Sequence, residues 1–114
     1  MTNKLISVKE KLIKEFIKRE KFDSLALIDV SDVEDFSHMF EDSKIESLEC
    51  ISNWNVSNGK NFSWMFSNCQ NIKSIKPLKN WNFSNGLSFF GMFNGCSNLE
   101  TDENLQKFKN IINE

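Results

Sequence analysis

One stretch of this chain occurs twice almost letter for letter, and that recurrence limits what the chain can fold into. Trp54-Asn55-Val56-Ser57-Asn58-Gly59 returns as Trp81-Asn82-Phe83-Ser84-Asn85-Gly86. The residues that follow, Asn61-Phe62-Ser63-Trp64-Met65-Phe66-Ser67-Asn68-Cys69, return with substitutions as Ser88-Phe89-Phe90-Gly91-Met92-Phe93-Asn94-Gly95-Cys96. The offset is 27 residues at Trp54/Trp81, Phe62/Phe89, Phe66/Phe93 and Cys69/Cys96. A weaker copy lies 26 residues upstream, as Asp29-Val30-Ser31 and Phe36-Ser37-His38-Met39-Phe40. A period in the twenties predicts stacked structural units, each too small to bury its apolar face alone.

Apolar residues hold fixed places within that period: Leu25, Ile51, Leu78 and Leu105; Ile28, Trp54, Trp81 and Phe108; Val30, Val56 and Phe83. Such columns predict a shared core, with Trp54 and Trp81 inside it. Ser57-Asn58-Gly59 and Ser84-Asn85-Gly86 read as turns, with glycine free to take positive φ. Phe36, Met39 and Phe40 are spaced i, i+3, i+4 and predict a short helix, repeated at Phe62/Met65/Phe66 and Phe89/Met92/Phe93. Short extended segments are expected at 45–48, 72–75 and 99–102. Their outward ladders, Glu46/Lys73/Glu100 and Glu49/Lys76/Glu103, alternate in sign, so they suit a solvated face. Pro77 is expected at a strand edge or turn.

Both ends read as caps. Ser7 with Glu10 forms a capping box, and Val8, Leu12, Ile13, Phe16 and Ile17 follow at helical spacing, predicting a helix over 7–21. An exposed end of a stacked core needs such a cover. Leu105, Phe108, Ile111 and Ile112 lie on one face of a second expected helix.

Trp-Asn-Val-Ser-Asn followed by Met-Phe-x-x-Cys-x-x-(Ile/Leu), recurring in register over roughly residues 28–105, resembles the BspA-like leucine-rich repeats of bacterial surface proteins. The resemblance implies a leucine-rich-repeat-like solenoid that mediates adhesion or protein binding, and it implies no catalytic residues. The resulting expectation is an α/β fold: a short leucine-rich-repeat-like solenoid of about three coils, capped by a helix at each end. One domain is expected over 1–114, with the N-terminal cap at 7–21, the repeats at 22–101 and the C-terminal cap from 102 to the end.

Composition narrows the function. The chain carries 39% hydrophobic and 26% charged residues with a net charge of −2, so it has no basic stripe for phosphates and no transmembrane run. Nucleic-acid and membrane partners are not expected. The first residues lack an apolar signal-peptide core, which predicts a cytoplasmic location, or the surface if a leader was removed. Cys50, Cys69 and Cys96 cannot all pair, and they read as buried structural thiols. One histidine and three scattered thiols do not supply a zinc set, so no metal and no cofactor are expected. Gly59, Gly86, Gly91 and Gly95 do not form a phosphate loop.

The chain is expected to be non-enzymatic. In recurring architecture the non-recurring outward positions are free to specify a partner. The columns Ser37/Ser63/Phe90 and His38/Trp64/Gly91 vary, and two of them hold large aromatics where a core does not require them. Trp64, Phe90 and His38 are therefore the candidate protein-binding residues, with the acidic run Asp32, Glu34, Asp35, Glu41 and Asp42 beside them. The expected function is a protein–protein interaction module. An immunity or inhibitor protein that neutralises a bacterial toxin or enzyme is the alternative, its acidic run meeting a basic site. A surface adhesin fragment or an enzyme ranks behind both.

Overall fold

The computed structural model describes the backbone of residues 2–112 and the side chains of residues 7–110. Helix α1 spans Thr2–Lys18 and helix α2 spans Glu103–Ile112. Between them lie three short 3-10 helices, Phe22–Leu27, Glu49–Ile51 and Lys76–Leu78, joined by hydrogen-bonded turns.

The α/β solenoid expectation is wrong. Among the described residues there is no strand and no sheet, and the only ladder elements are two isolated parallel bridges, Asp35 with Asn61 and Asn61 with Ser88. The body is a compact globule with a radius of gyration of 13.2 Å, close to the value expected for a packed chain of this length. The extended segments expected at 45–48, 72–75 and 99–102 are not strands. Glu100 N–H donates to the Lys73 carbonyl at 2.8 Å, but this link does not extend into a sheet. Pro77 sits in the third 3-10 helix, where its fixed φ and missing N–H suit the first turn.

The expected short helices are also absent, although their inward residues are correct. Phe36, Met39 and Phe40 are buried, as are Phe62, Met65 and Phe66. The backbone reaches this burial through consecutive tight turns, with Met39 N–H bonded to Phe36 and Glu41 N–H to His38. Left-handed residues interrupt any helix every fourth position: His38 and Asp42, Trp64 and Asn68, Gly91 and Gly95 have φ of 59, 64, 58, 62, 63 and 79°. Gly59 and Gly86 do not have positive φ. A Cβ at either would meet the ring of Phe62 or Phe89 at 2.3 or 2.2 Å, so close approach of an aromatic ring is what requires glycine there.

The recurring letters mark contacts between copies. Phe36, Phe62 and Phe89 stack with centroids 5.3 and 5.4 Å apart. Phe40, Phe66 and Phe93 do the same at 5.2 and 5.3 Å. The indoles of Trp54 and Trp81 lie 6.5 Å apart and 10° from parallel. These separations fall in the favourable range for offset aromatic pairs. Several motif polar groups also donate to the preceding copy. Trp54 and Trp81 Nε1–H reach the carbonyls of Leu25 and Ile51 at 2.9 and 3.1 Å. Asn58 and Asn85 amides reach Ser31 and Ser57 carbonyls at 2.6 and 2.7 Å. The thiols of Cys69 and Cys96 point to the carbonyls of Phe40 and Phe66. Asp29, Asn55 and Asn82 instead act locally, each accepting the N–H two residues on in an Asx turn.

Helix α1 ends in a Schellman motif. Glu20 is left-handed with φ 57°, Lys21 N–H bonds Phe16, and Glu20 N–H bonds Ile17. The helix starts before Ser7, so the expected capping box does not form and Ser7 is an interior residue. Ile13 is fully buried, whereas Val8 and Leu12, also expected inward, are exposed. Lys9 fixes the helix to Asp32 at 2.8 Å. Helix α2 buries Leu105 and Phe108, and the Phe108 ring stands edge-on to Phe83 and Phe93 at 5.3 and 5.1 Å. The side chains of Ile111 and Ile112 lie outside the described residues.

Candidate functional site

The turn that carries Trp64 and the turn that carries Phe90 are adjacent, linked by the bond from Trp64 N–H to the Phe90 carbonyl at 2.9 Å. Their rings meet edge to face with centroids 5.2 Å apart. Phe90 is 67% exposed, and Trp64 is half-buried. The indole owes that partial burial to Gly91: a Cβ on Gly91 would lie 2.6 Å from its ring atoms. Trp64 therefore covers a neighbouring glycine and packs on Phe90, and its ring stays only partly exposed. Its φ of 58° is unusual for a bulky side chain.

Leu87, in the same copy as Phe90, is a further exposed apolar residue that the sequence reading missed. It is 83% exposed, and it follows Glu34 and Lys60 along the same pairing, with Lys60 N–H bonded to Glu34 and Leu87 N–H to Lys60. A leucine at a place held by charged residues in both earlier copies was the available signal. Outward apolar character is thus concentrated in the third copy. The first two copies present Glu34, Lys60, Ser37 and Ser63 at the corresponding positions.

The remaining candidates are held by internal partners. His38 is exposed and its Nδ1 lies 2.9 Å from Glu41. Asp32 pairs with Lys9 and Glu34 with Lys60, at 2.8 and 2.9 Å. Asp35 accepts the Ser37 N–H and hydroxyl, and Asp42 accepts the Asn68 amide. The structure thus spreads the acidic run over five separate contacts. Exposed pairs of this kind contribute about 0–1 kcal/mol each. Across the fold, Asp35 also acts on helix α1: burial first, and then the Asp35 charge, push the Glu10 carboxyl above its ordinary value.

The cysteines are free thiols. Burial pushes the Cys69 thiol up to about 12, with proximity to Cys96 adding to the effect. Cys50 and Cys96 are also raised, chiefly by burial. Such thiols stay protonated at neutral pH and are poor nucleophiles. Among the described residues no group of three His, Cys, Asp or Glu side chains converges as a metal site. Two open clefts, of about 690 and about 600 Å³, lie beside α2 and beside the second 3-10 helix, and neither is lined by Trp64 or Phe90. Among the described residues no helix is long and apolar enough to cross a membrane.

No curated protein and no solved structure matches the chain. The model of one protein family does match, over residues 10–114. The chain belongs to that family, described as Mycoplasma protein of unknown function, DUF285.

Proposed function

We propose that this protein is a non-enzymatic protein-binding module that grips a partner protein through Trp64, Phe90 and Leu87. The supporting observation is the pair of exposed apolar residues of the third copy, Leu87 and Phe90, at positions that are polar in the other two, with the half-buried Trp64 of the second copy packed against Phe90. Aromatic side chains are enriched at the cores of protein interfaces, and an exposed apolar patch marks such a surface. The Trp-Asn-Val-Ser-Asn and Met-Phe-x-x-Cys motifs support a kinship with BspA-like proteins, which fits a binding role. The net charge of −2 argues for a protein partner over nucleic acid. Three free thiols favour a reducing compartment, hence the cytoplasm.

The experiment compares Trp64→Ala, Phe90→Ser and Leu87→Ser with the parent protein, for melting and for capture of a partner from the native cell. Loss of a captured partner with melting preserved supports the reading. Sharply lowered melting with capture per folded molecule unchanged refutes it. The inhibitor reading draws on the exposed carboxylates of Glu34, Asp35, Glu41 and Asp42. It predicts one dominant, tightly held partner whose release increases with salt.

A further inference from the structure

At the start of each pairing the later copy donates back, Lys60 and Leu87 N–H to the Glu34 and Lys60 carbonyls. From there on the alternate N–H groups of the earlier copy donate forward to the next. In the first copy the N–H groups of Phe36, His38, Phe40 and Asp42 donate to the carbonyls of Asn61, Ser63, Met65 and Ser67. In the second copy Phe62, Trp64, Phe66 and Asn68 donate to Ser88, Phe90, Met92 and Asn94, at 2.7 to 2.9 Å. The equivalent donors of the third copy belong to Phe89, Gly91, Phe93 and Gly95. Among the described residues none of these four N–H groups donates to a backbone carbonyl.

The side chains are also left uncovered at this edge. Phe62, Phe66 and Cys69 are fully buried, whereas their third-copy equivalents Phe89, Phe93 and Cys96 are only partly so. Helix α2 covers the aromatic column through Phe108 and leaves an open cleft of about 330 Å³ beside it. Gly91, Phe93, Cys96, Leu99, Phe108 and Lys109 are among its lining residues. A backbone N–H with no protein acceptor takes water or a ligand. A row of them along an apolar floor is a template for an added chain segment.

We infer that this edge is a docking site for a segment of a partner protein, bound main chain to main chain. The two filled edges within the molecule define what fits: carbonyls at alternate residues, carried on a segment with apolar side chains between them. Lys109 at the rim favours a carboxylate on the same segment. This inference rests on the protein-binding reading and adds a contact mode to it, since Phe90 and Leu87 project from the same copy that carries the free donors.

The test uses the whole ¹⁵N-labelled protein and, as probe, a synthetic peptide with the sequence of residues 60–69, the segment that fills the first edge. Without peptide, the amides of Gly91, Phe93 and Gly95 should exchange with solvent at least ~100-fold faster than those of Phe40 and Phe66. With peptide, they should shift saturably and slow at least ~10-fold. A peptide of scrambled order should bind less tightly, as should one with thioamides in place of the Ser63 and Met65 carbonyls. Equal protection before peptide is added would mean the edge is already closed and would overturn the inference. Shifts elsewhere, or identical shifts with the scrambled peptide, would overturn it too. Concentration-dependent self-association that shields the same amides would assign the edge to a second copy of this chain. If the peptide fails while the Trp64, Phe90 and Leu87 variants still abolish capture, the edge is refuted and the protein-binding reading survives.

Discussion

Replacing Phe66 by alanine removes the ring at the centre of the molecule. Phe66 is fully buried and stacks on Phe40 at 5.2 Å and Phe93 at 5.3 Å, with Trp81 6.4 Å away. Truncating a buried phenylalanine costs about 3–5 kcal/mol, from lost transfer energy plus the residual cavity. The three lost aromatic contacts add to the transfer loss at roughly 0.5–1.5 kcal/mol per pair. The site cannot readily collapse, because the backbone on both sides is pinned: Phe66 N–H bonds Met92, and Phe40 N–H bonds Met65. The cost should therefore lie near the upper end, about 4–5 kcal/mol. Against a total stability of roughly 5–15 kcal/mol, that leaves a marginal or unfolded protein. Phe66→Leu retains much of the volume and should cost about 1–2 kcal/mol. Phe90→Ala, on an exposed ring, should stay within about 0.5 kcal/mol. Urea denaturation followed by circular dichroism, with m compared across the set, measures all three. If Phe66→Ala costs less than about 1 kcal/mol, or no more than Phe90→Ala, the stacked aromatic columns do not hold the fold together.

Three further outcomes follow from single contacts. Gly91→Ala should destabilise by at least about 1–2 kcal/mol from its left-handed backbone alone. The added collision with the Trp64 ring should make the substitution cheaper in a Trp64→Ala background, a difference read in a double-mutant cycle. Trp81→Phe deletes the donor to the Ile51 carbonyl and should cost about 0.5–1.5 kcal/mol for the bond, in addition to any cavity, measured by thermal melting. Cys69 is protonated in the fold to about pH 12, while the unfolded chain releases that proton near the ordinary thiol value of 9. Its contribution is complete below pH 9 and declines as pH rises toward 12, so the stability lost between pH 9 and 11 should be smaller in Cys69→Ala. A thiol reagent at pH 8 should spare Cys69 until the protein is denatured.

The sequence revealed which residues meet, and it misled about the backbone that brings them together. Trp54 with Trp81 and Phe62 with Phe89 are in contact because equal side chains at equal places stack best on one another. Both terminal helices were legible from their apolar spacing, although α1 begins earlier than Ser7 and leaves Val8 and Leu12 exposed. The strands and short helices were not real. An i, i+3, i+4 spacing of Phe36, Met39 and Phe40 is also satisfied by successive turns, and the cue against a helix was the chemistry of the fourth-residue positions. Asp42, Asn68 and Gly95 are residue types that accept a left-handed backbone, whereas Trp64 gave no such sign. At the candidate site, Phe90 was legible as an aromatic outside the core pattern. The packing of Trp64 over Gly91 required coordinates, because it depends on a missing Cβ one copy away.

The central claim is that equal residues of successive copies lie ring against ring. Nuclear Overhauser spectroscopy on protein with labelled Trp and Phe rings measures this directly. Cross-peaks are predicted between the indoles of Trp54 and Trp81, with centroids 6.5 Å apart, and between Phe66 and Phe93, at 5.3 Å. A folded protein that shows neither cross-peak would contradict the account.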